Sequence, residues 1–97
     1  MERISYTYIM ANKQNGSLYI GVTANLIRRA WEHKNPLSSC FTKKYKINRL
    51  VYYEQYSVIT DAIRREKQLK TWPRKWKLEL INQFNPQWND LFGEICG

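Results

Sequence analysis

The sequence predicts a small α/β domain: a three-stranded, mainly antiparallel sheet flanked by helices, in the order β-β-α-β-α-α. Two observations lead to this prediction. Three short runs are rich in β-branched and aromatic residues, which is typical of strands, and helical patterns of apolar residues follow the second and third runs. A length of 97 residues gives room for one modest core, so we expect a single domain over residues 1–97.

The first two strands are predicted to form a hairpin. They are expected over residues 6–10 (YTYIM) and 18–22 (LYIGV), with the Asn-Gly pair at 15–16 as the turn between them. Gly21 inside the second strand indicates either a bulge or the close approach of another backbone. The third strand is expected over residues 50–56 (LVYYEQY).

The first helix is expected over residues 26–34 (LIRRAWEHK), with Thr23 or Asn25 as its N-cap. The second is expected over residues 61–71, opened by Ser57 or Thr60. A proline at the start of a helix and an Asn-Pro pair at its end predict the third over residues 73–84.

Composition indicates a folded domain with a polyanionic partner. Apolar residues make up 43% of the chain, and 16 basic residues against 8 acidic ones give a net charge of +8. Such an excess on a small domain favours nucleic acid as the partner, although solvated lysines on a soluble domain are the plainer interpretation. No apolar run approaches the roughly 20 residues of a membrane span, so we expect no membrane partner.

The cysteines and the N-terminus predict a cytoplasmic protein. The first ten residues lack the apolar core of a signal peptide. Cys40 and Cys96 lie far apart and match no metal-binding spacing, which is typical of free thiols in a reducing compartment. One histidine and no close cysteine pair argue against a structural zinc.

Two charged residues interrupt the apolar face of the first helix. The expected apolar stripe consists of Leu26, Ile27 and Ala30. Arg29 and His33 are four residues apart, so both lie on one side of the helix at the edge of that stripe. The structural interpretation is an arginine that extends to solvent and a hydrogen-bonded histidine at the margin of the core.

The second helix has a carboxylate where an apolar residue is expected. Its apolar stripe consists of Ile59, Ala62, Ile63 and Leu69. Glu66 completes the helical spacing of that stripe, and a carboxylate on a packed face is costly unless it is paired or holds a cation. Two interpretations remain: an ion pair with Arg29 or a nearby lysine, or a ligand for Mg²⁺ whose other ligands are phosphate oxygens and water.

With these residues assembled, the chain resembles the GIY-YIG nuclease superfamily over roughly residues 4–90. The second half of the signature is intact in residues 19–21 (Tyr-Ile-Gly), whereas the first half keeps only Tyr8 in residues 6–8 (Tyr-Thr-Tyr). Arg29 stands ten residues after Tyr19, as in the superfamily. The runs YIGVT, FTKKY and REKQLK are similar to those of small stand-alone bacterial excinuclease C-like endonucleases.

The resemblance implies a metal-dependent endonuclease that hydrolyses DNA phosphodiesters, with a role in DNA repair or processing. In it, Tyr19 is the general base, Arg29 holds the scissile phosphate, and Glu66 binds a single Mg²⁺ or Mn²⁺. Tyr8 and His33 orient the attacking water, or hydrogen-bond to Tyr19 or to the phosphate. The late asparagine of the superfamily is uncertain here: Asn85 is the candidate, ahead of Asn82.

Many members of the superfamily also carry a separate DNA-binding domain, and the sequence predicts none here. We therefore expect the domain itself, or a protein partner, to supply affinity and choice of substrate. The residues expected to bind nucleic acid are Arg28, Lys34, Lys43, Lys44 and Lys70. A second basic group follows Glu66 and consists of Lys67, Lys70, Arg74, Lys75 and Lys77.

Two other functions compete with the nuclease. One is a nucleic-acid-binding module whose catalytic chemistry is weak or lost, and this would need no carboxylate on the apolar stripe. The other is a structural or interaction protein, such as a dimer formed through exposed aromatic residues. Metal dependence separates the nuclease from both alternatives.

Overall fold

A computed structural model describes residues 4–35 and 46–96 of the chain. The strands are β1 (Ser5–Ala11), β2 (Leu18–Thr23) and β3 (Arg49–Tyr56). The helices are α1 (Leu26–Lys34), α2 (Ile59–Thr71), α3 (Arg74–Phe84) and α4 (Phe92–Cys96). The predicted order β-β-α-β-α-α is confirmed, with α4 as a short additional helix at the end.

The sheet has the order β2-β1-β3, and both pairings are antiparallel. Tyr8 on the central strand lies opposite Gly21 of β2 and Tyr53 of β3. Tyr19 lies opposite Met10, two places along the same ladder. Because side chains alternate between the two faces of a strand, Tyr8 and Tyr19 lie on one face, at neighbouring positions.

The two faces of the sheet pack against different helices. One face of the sheet, helices α2 and α3 and the segment after α3 contribute Ile9, Ala11, Ile20, Val51, Tyr52, Leu69, Ile81 and Trp88 to one buried cluster. The other face, helix α1 and the segments flanking β3 contribute Tyr8, Met10, Leu26, Ala30, Ile47, Leu50 and Leu91 to a second buried cluster. Helices α1 and α2 therefore lie on opposite faces of the sheet.

The first helix begins as predicted. The side-chain oxygen of Asn25 accepts a hydrogen bond from the backbone N–H of Arg28 at 3.0 Å, which is the N-cap contact. Thr23 also contributes, because its hydroxyl oxygen accepts a hydrogen bond from the backbone N–H of Asn25 at 3.0 Å. Both candidates for the cap thus fix the turn from β2 into α1.

The start of the second helix was predicted wrongly. Helix α2 begins at Ile59 with Val58 as its N-cap, and no side chain caps it. The backbone carbonyl of Val58 accepts hydrogen bonds from Asp61 and Ala62 instead, so the short connection from β3 sets the first turn. Helix α3 begins at Arg74, with Pro73 in the N-cap position.

The segment after α3 covers the edge of β3 that does not pair with β1. Trp88 is fully buried, and the backbone N–H of Leu91 donates to the carbonyl of Leu50 at 2.8 Å. Among the residues that the structure describes, no helix is long and apolar enough to cross a membrane.

Candidate active site

The buried face of α1 consists of Leu26, Ala30 and His33. The predicted stripe was wrong in one member, because Ile27 is 46% exposed. Positions 26, 30 and 33 are spaced four and three apart, which places them on one side of a helix, whereas Ile27 is turned about 100° away. His33 therefore occupies a core position and is only 9% exposed.

His33 packs against two tyrosines of the sheet, and we call Tyr8, Tyr19 and His33 the aromatic triad. The hydroxyl oxygen of Tyr8 lies 3.1 Å from Nε2 of His33. The Tyr19 ring centroid lies 5.0 Å from that of His33 and 6.3 Å from that of Tyr8. The structure thus brings together three of the predicted catalytic residues.

Gly21 makes room for the triad. A Cβ atom at this position would lie 2.6 Å from the hydroxyl oxygen of Tyr8 and 2.8 Å from its Cζ, closer than real Cβ contacts. Neither predicted alternative is correct: β1 and β2 pair without a shift in register, and the group that approaches Gly21 is the Tyr8 side chain and not a backbone. The glycine of the Tyr-Ile-Gly run lets the Tyr8 ring lie directly on β2.

Replacement of Gly21 by alanine is expected to displace the Tyr8 ring and break its hydrogen bond to His33. Overpacking of this kind costs about 1–3 kcal/mol of unfolding free energy, which urea denaturation would measure. Gly93→Ala is the matched control, because nothing lies within 4 Å of a Cβ at that position. Equal stability of the two variants would contradict the close approach of Tyr8.

Burial sets the protonation states within the triad. Burial, and then the nearby charge of Arg29, lower the pKa of His33 from 6.5 to about 4, with Glu32 opposing them. Burial, and then Tyr19, raise the pKa of Tyr8 far above 10, with Arg29 opposing them. At neutral pH the imidazole is therefore neutral and the Tyr8 hydroxyl keeps its proton. Within the described part of the chain, Nδ1 of His33 is buried without a hydrogen-bond partner.

This histidine is expected to make stability depend on pH in mildly acidic solution. The unfolded chain takes up a proton near pH 6.5 and the folded chain only near pH 4, so acid favours unfolding. The free energy of unfolding should fall as the pH drops through this interval, by an amount on the order of 3 kcal/mol. The chain contains one histidine, so His33→Gln should remove the slope between pH 6.5 and 5 in urea titrations. An unchanged slope would refute a neutral, buried imidazole.

Arg29 lies at the solvent side of the triad. Its side chain is 44% exposed, its Nε is 3.1 Å from a carboxylate oxygen of Glu32, and its positive charge opposes the rise in the pKa of Tyr8. A depression of about 330 Å³ opens beside it at the start of α1. That depression is lined by Thr23, Ala24, Asn25, Arg28, Arg29 and Glu32. Two guanidinium groups in one polar depression are suited to a phosphate.

Glu66 comes from the other face of the sheet. Ala62 and Leu69 of α2 are fully buried, as the predicted stripe requires, but Ile59 is 49% exposed. The side chain of Glu66 is 20% exposed, and one of its oxygens lies 3.3 Å from Nζ of Lys70. Of the two ion-pair partners considered from the sequence, the lysine is the one present.

The outer edge of β2 is where the two faces meet. A depression of about 320 Å³ there is lined by Leu18, Tyr19, Ile20, Lys70 and Lys77, and we call it the edge depression. Tyr19 thus contacts Tyr8 and His33, and it also lines the edge depression together with Lys70, the ion-pair partner of Glu66.

The other predicted site residues lie apart from the triad. Lys34 forms an ion pair with Asp90 and donates to the carbonyl of Asn48 at 2.8 Å, so it ties α1 to the segments flanking β3. Arg28 is 75% exposed and pairs with Glu32. Lys43 and Lys44 lie outside the described residues.

Neither asparagine considered for the site contacts the triad. Asn85 is buried, and its side-chain amide donates to the carbonyls of Val51 at 3.2 Å and Asn89 at 2.8 Å. The side-chain oxygen of Asn82 accepts a hydrogen bond from Nε1 of Trp88 at 2.6 Å. Both therefore fix the segment that closes β3.

Sequence reasoning missed a polar cluster between β3 and α2. The Glu54 carboxylate accepts hydrogen bonds from Arg65 at 3.0–3.2 Å and from the hydroxyls of Tyr52 and Tyr56. The guanidinium of Arg65 also lies 4.9 Å from the ring centre of Trp72. The available signal was an arginine beside Glu66 on α2, together with a glutamate between tyrosines on β3.

The antiparallel sheet carries the Tyr-Ile-Gly run on an edge strand, beside the Tyr8–His33 pair and the partly exposed Arg29. This arrangement has the form of the nuclease domain that the sequence resembles. Comparison with known proteins tests this assignment independently. The family model of the GIY-YIG catalytic domain matches residues 4–79 of the chain. The chain therefore belongs to the GIY-YIG superfamily of nucleases.

The chain covers most of the length of its individual relatives. The UPF0213 protein SSP2268 of Staphylococcus saprophyticus is 36% identical over 78 residues, which is 80% of this chain and 94% of the relative. The UPF0213 protein SH2523 of Staphylococcus haemolyticus is 38% identical with the same coverage. The solution NMR structure of the UPF0213 protein BH0048 from Bacillus halodurans aligns with a TM-score of 0.51 and 28% identity. That alignment covers 82% of this chain and 84% of the other, and it confirms the fold. The finer likeness to excinuclease C-like endonucleases stays a prediction.

Proposed function

We propose that this protein is a divalent-metal-dependent endonuclease that hydrolyses phosphodiester bonds in DNA. The observation that carries the proposal is the position of Tyr19, which is in contact with His33 and lines the edge depression together with Lys70. Tyr19 thus lies beside groups from both faces of the sheet. The GIY-YIG assignment supports a nuclease, and the charge of +8 supports a polyanionic substrate.

Glu66 fits the role of a metal ligand. Its side chain is 20% exposed, and Nζ of Lys70 lies 3.3 Å from one of its carboxylate oxygens. In the described part of the chain, no group of three or more His, Cys, Asp or Glu residues is placed to hold a metal ion. A hard cation that takes most of its ligands from phosphate and water matches such a sparse set, so Mg²⁺ or Mn²⁺ is proposed here. The ion would polarise the phosphate and stabilise negative charge as the bond breaks.

The remaining roles follow from position and protonation. Tyr19 accepts the proton of the attacking water as general base. Arg29, at the exposed rim, holds the scissile phosphate and offsets the charge that builds on it in the transition state. The Tyr8 hydroxyl keeps its proton and hydrogen-bonds to His33, so this pair orients Tyr19 and the water and does not act as the base.

Basic residues on both sides of Tyr19 suit a strand of nucleic acid that runs along β2. Arg28 and Arg29 lie near the Thr23 end of the strand, and Lys70 and Lys77 lie near the Leu18 end. Six residues of β2 span about 20 Å, enough for several consecutive phosphates of one strand. We place the phosphate-binding path along this edge.

A second candidate is a nucleic-acid-binding module without significant turnover. The observation in its favour is the 3.3 Å contact between Glu66 and Lys70, which gives the carboxylate a partner without any metal ion. In this alternative the basic residues along β2 would still bind DNA in a salt-dependent manner.

Cleavage assays separate the two candidates. Labelled single-stranded, duplex, nicked and branched DNA would be incubated with the purified protein and Mg²⁺, Mn²⁺ or EDTA. The proposal expects cleavage with either metal and none with EDTA. The double variant Tyr19→Phe with Glu66→Gln serves as the control for contaminating nucleases. Equal cleavage by this variant and the wild type would refute the nuclease, and salt-sensitive binding would then support the second candidate.

The setting of this activity is also part of the proposal. We propose that residues 1–97 act as a single domain in the cytoplasm, in DNA repair or processing. Choice of substrate then comes from the domain's own surface or from a protein partner.

A further inference from the structure

We propose that Thr7 is a positioning residue that sets the affinity of the protein for its metal ion. Its buried hydroxyl holds the turn of α2 that leads to Glu66 at a fixed place on the central strand. The proposal rests on the proposed function, because it takes Glu66 as the metal ligand. It adds a residue that acts on the metal only through Glu66, and it predicts that the loss of one hydroxyl weakens metal binding.

Thr7 lies on β1, the central strand, and is fully buried on the face of the sheet that packs against α2. Its hydroxyl donates a hydrogen bond of 2.7 Å to the backbone carbonyl of Ala62, 55 residues away in the chain. Ala62 is also fully buried, and its small side chain lets the helix backbone come within reach of a threonine. The bond therefore joins the strand directly to the main chain of α2.

The carbonyl that Thr7 holds belongs to the turn that leads to Glu66. In an α-helix, the carbonyl of each residue accepts a hydrogen bond from the backbone N–H of the residue four places later. Within α2, the Ala62 carbonyl is thus the acceptor for the N–H of Glu66, so one oxygen receives both this amide and the Thr7 hydroxyl. Residues four apart also lie only about 40° apart around the helix axis, which places Ala62 and Glu66 on one side of α2. A shift of this carbonyl relative to β1 therefore moves the backbone of Glu66 with it.

The next residue of β1 makes the corresponding contact on the other face of the sheet. Tyr8 follows Thr7, and its hydroxyl oxygen lies 3.1 Å from Nε2 of His33 on α1. Successive side chains of a strand point to opposite faces, so Thr7 and Tyr8 hold α2 and α1 from one point on the sheet. Residues 7–8 therefore fix the helix that carries Glu66 relative to the aromatic triad.

A second contact keeps α2 on the sheet without Thr7. Glu54 lies directly opposite Thr7 on β3, and its carboxylate pairs with Arg65 of α2 at 3.0 Å. Leu69, one turn further along the helix, is fully buried in the cluster on this face. Removal of the Thr7 hydroxyl is therefore expected to leave α2 folded and packed, and to change how firmly the turn before Glu66 is fixed.

The competing explanation is that the Thr7 hydroxyl only satisfies its own hydrogen bond in a buried place. A buried hydroxyl without an acceptor is costly, so a threonine there would bond to any carbonyl within reach. That explanation predicts lower stability in Thr7→Val, whose side chain has the same shape. It also predicts that the dependence of cleavage on metal concentration stays unchanged.

The experiment measures initial cleavage rates of one labelled DNA across Mg²⁺ and Mn²⁺ concentrations, at a temperature where circular dichroism shows each variant to be folded. Thr7→Val should raise the metal concentration for the half-maximal rate by about tenfold, as the loss of a group that orients a metal ligand typically does. The rate at saturating metal should fall by less than about threefold, because the defect is in binding. Thr7→Ala also lacks the hydroxyl and should show the same rise. Thr7→Ser keeps the hydroxyl and should restore the metal dependence of the wild type.

Thr71→Val is the matched control. The hydroxyl of Thr71 also donates to a backbone carbonyl of α2, that of Gln68 at 2.7 Å, but Thr71 is exposed and bonds within its own turn. This variant removes the same kind of hydrogen bond from the same helix without affecting β1. Its dependence on metal concentration should therefore match that of the wild type.

Metal binding provides a readout without cleavage. Electron paramagnetic resonance would measure free Mn²⁺ in the presence of DNA and the Tyr19→Phe protein, with and without Thr7→Val, and the second change should raise Kd for Mn²⁺ by about tenfold. Unchanged metal dependence and Mn²⁺ binding in Thr7→Val, or equal defects in Thr7→Val and Thr7→Ser, would overturn this inference while leaving the nuclease intact. No cleavage by the wild type, together with Mn²⁺ binding that still weakens in Thr7→Val, would refute the nuclease and retain the positioning role. Absence of both cleavage and Mn²⁺ binding would overturn both proposals.

Discussion

Replacement of Glu66 by glutamine is expected to lower kcat/KM for DNA cleavage by about 10³-fold at saturating Mg²⁺. Glutamine keeps the size of the side chain and can still accept a hydrogen bond from Lys70, but it lacks the negative charge that a divalent cation requires. The loss should therefore appear in metal-dependent cleavage without a matching loss of stability. Tyr19→Phe, which removes the proposed base, should cause a similar loss of about 10²–10⁴-fold.

The kinetic signature distinguishes the two variants. Raising the Mn²⁺ concentration should partly restore activity to Glu66→Gln, because its defect is in metal binding, and should not restore Tyr19→Phe. Glu79→Gln is the matched control, since it removes the same charge from an exposed position on α3. A wild-type rate in Glu66→Gln would leave this residue as the ion-pair partner of Lys70 and nothing more.

Replacement of Glu54 by alanine is expected to lower the free energy of unfolding by about 3 kcal/mol. The Glu54 side chain is 18% exposed and that of Arg65 is 21% exposed, so loss of the carboxylate leaves a largely buried guanidinium without its charge partner. It also leaves the hydroxyls of Tyr52 and Tyr56 without their acceptor. Urea denaturation at pH 7 would measure the loss. Arg64→Ala is the control, because Arg64 is 81% exposed in its pair with Asp61 and should change stability by less than about 0.5 kcal/mol.

The contribution of Glu54 should also depend on pH. Burial alone would raise the pKa of this carboxyl, but hydrogen bonds from Arg65, Tyr52 and Tyr56 outweigh burial and lower it below 4.5. A carboxyl with a lowered pKa stabilises the fold above its unfolded value and loses that effect as pH falls through the folded value. The stability difference between the wild type and Glu54→Gln should thus shrink below about pH 4.5. A difference that stays constant down to pH 3 would contradict the ion pair.

The strands, and the order in which helices follow them, were predictable because their signals are local. Aromatic and β-branched runs mark β1, β2 and β3, and an Asn-Gly turn fixes the hairpin. Asn15 adopts a positive φ of 58°, whereas Gly16 does not, and the backbone N–H of Gly16 donates to the carbonyl of Lys13 at 3.0 Å. The glutamate on the apolar stripe of α2 was also visible from spacing alone, since helical periodicity reports which residues share a face.

What the sequence did not predict depends on contacts between distant segments. Ile27 and His33 both fit a helical stripe approximately, and the position of β1 decides which one is buried. The partnership of Glu54 with Arg65 requires both the register of β3 and the placement of α2, neither of which is encoded locally. The start of α2 at Ile59 likewise follows from the connection to β3 and not from a capping side chain.

The space beneath Tyr8 suggests how the two halves of the family signature constrain each other in evolution. The glycine at position 21 is needed because a tyrosine ring from the neighbouring strand occupies the volume where a side chain would begin. Among descendants of this fold, a side chain at position 21 should therefore arise only after the ring at position 8 has been lost. Loss of that ring first would mark lineages in which the hydrogen bond to the helix histidine no longer serves a purpose.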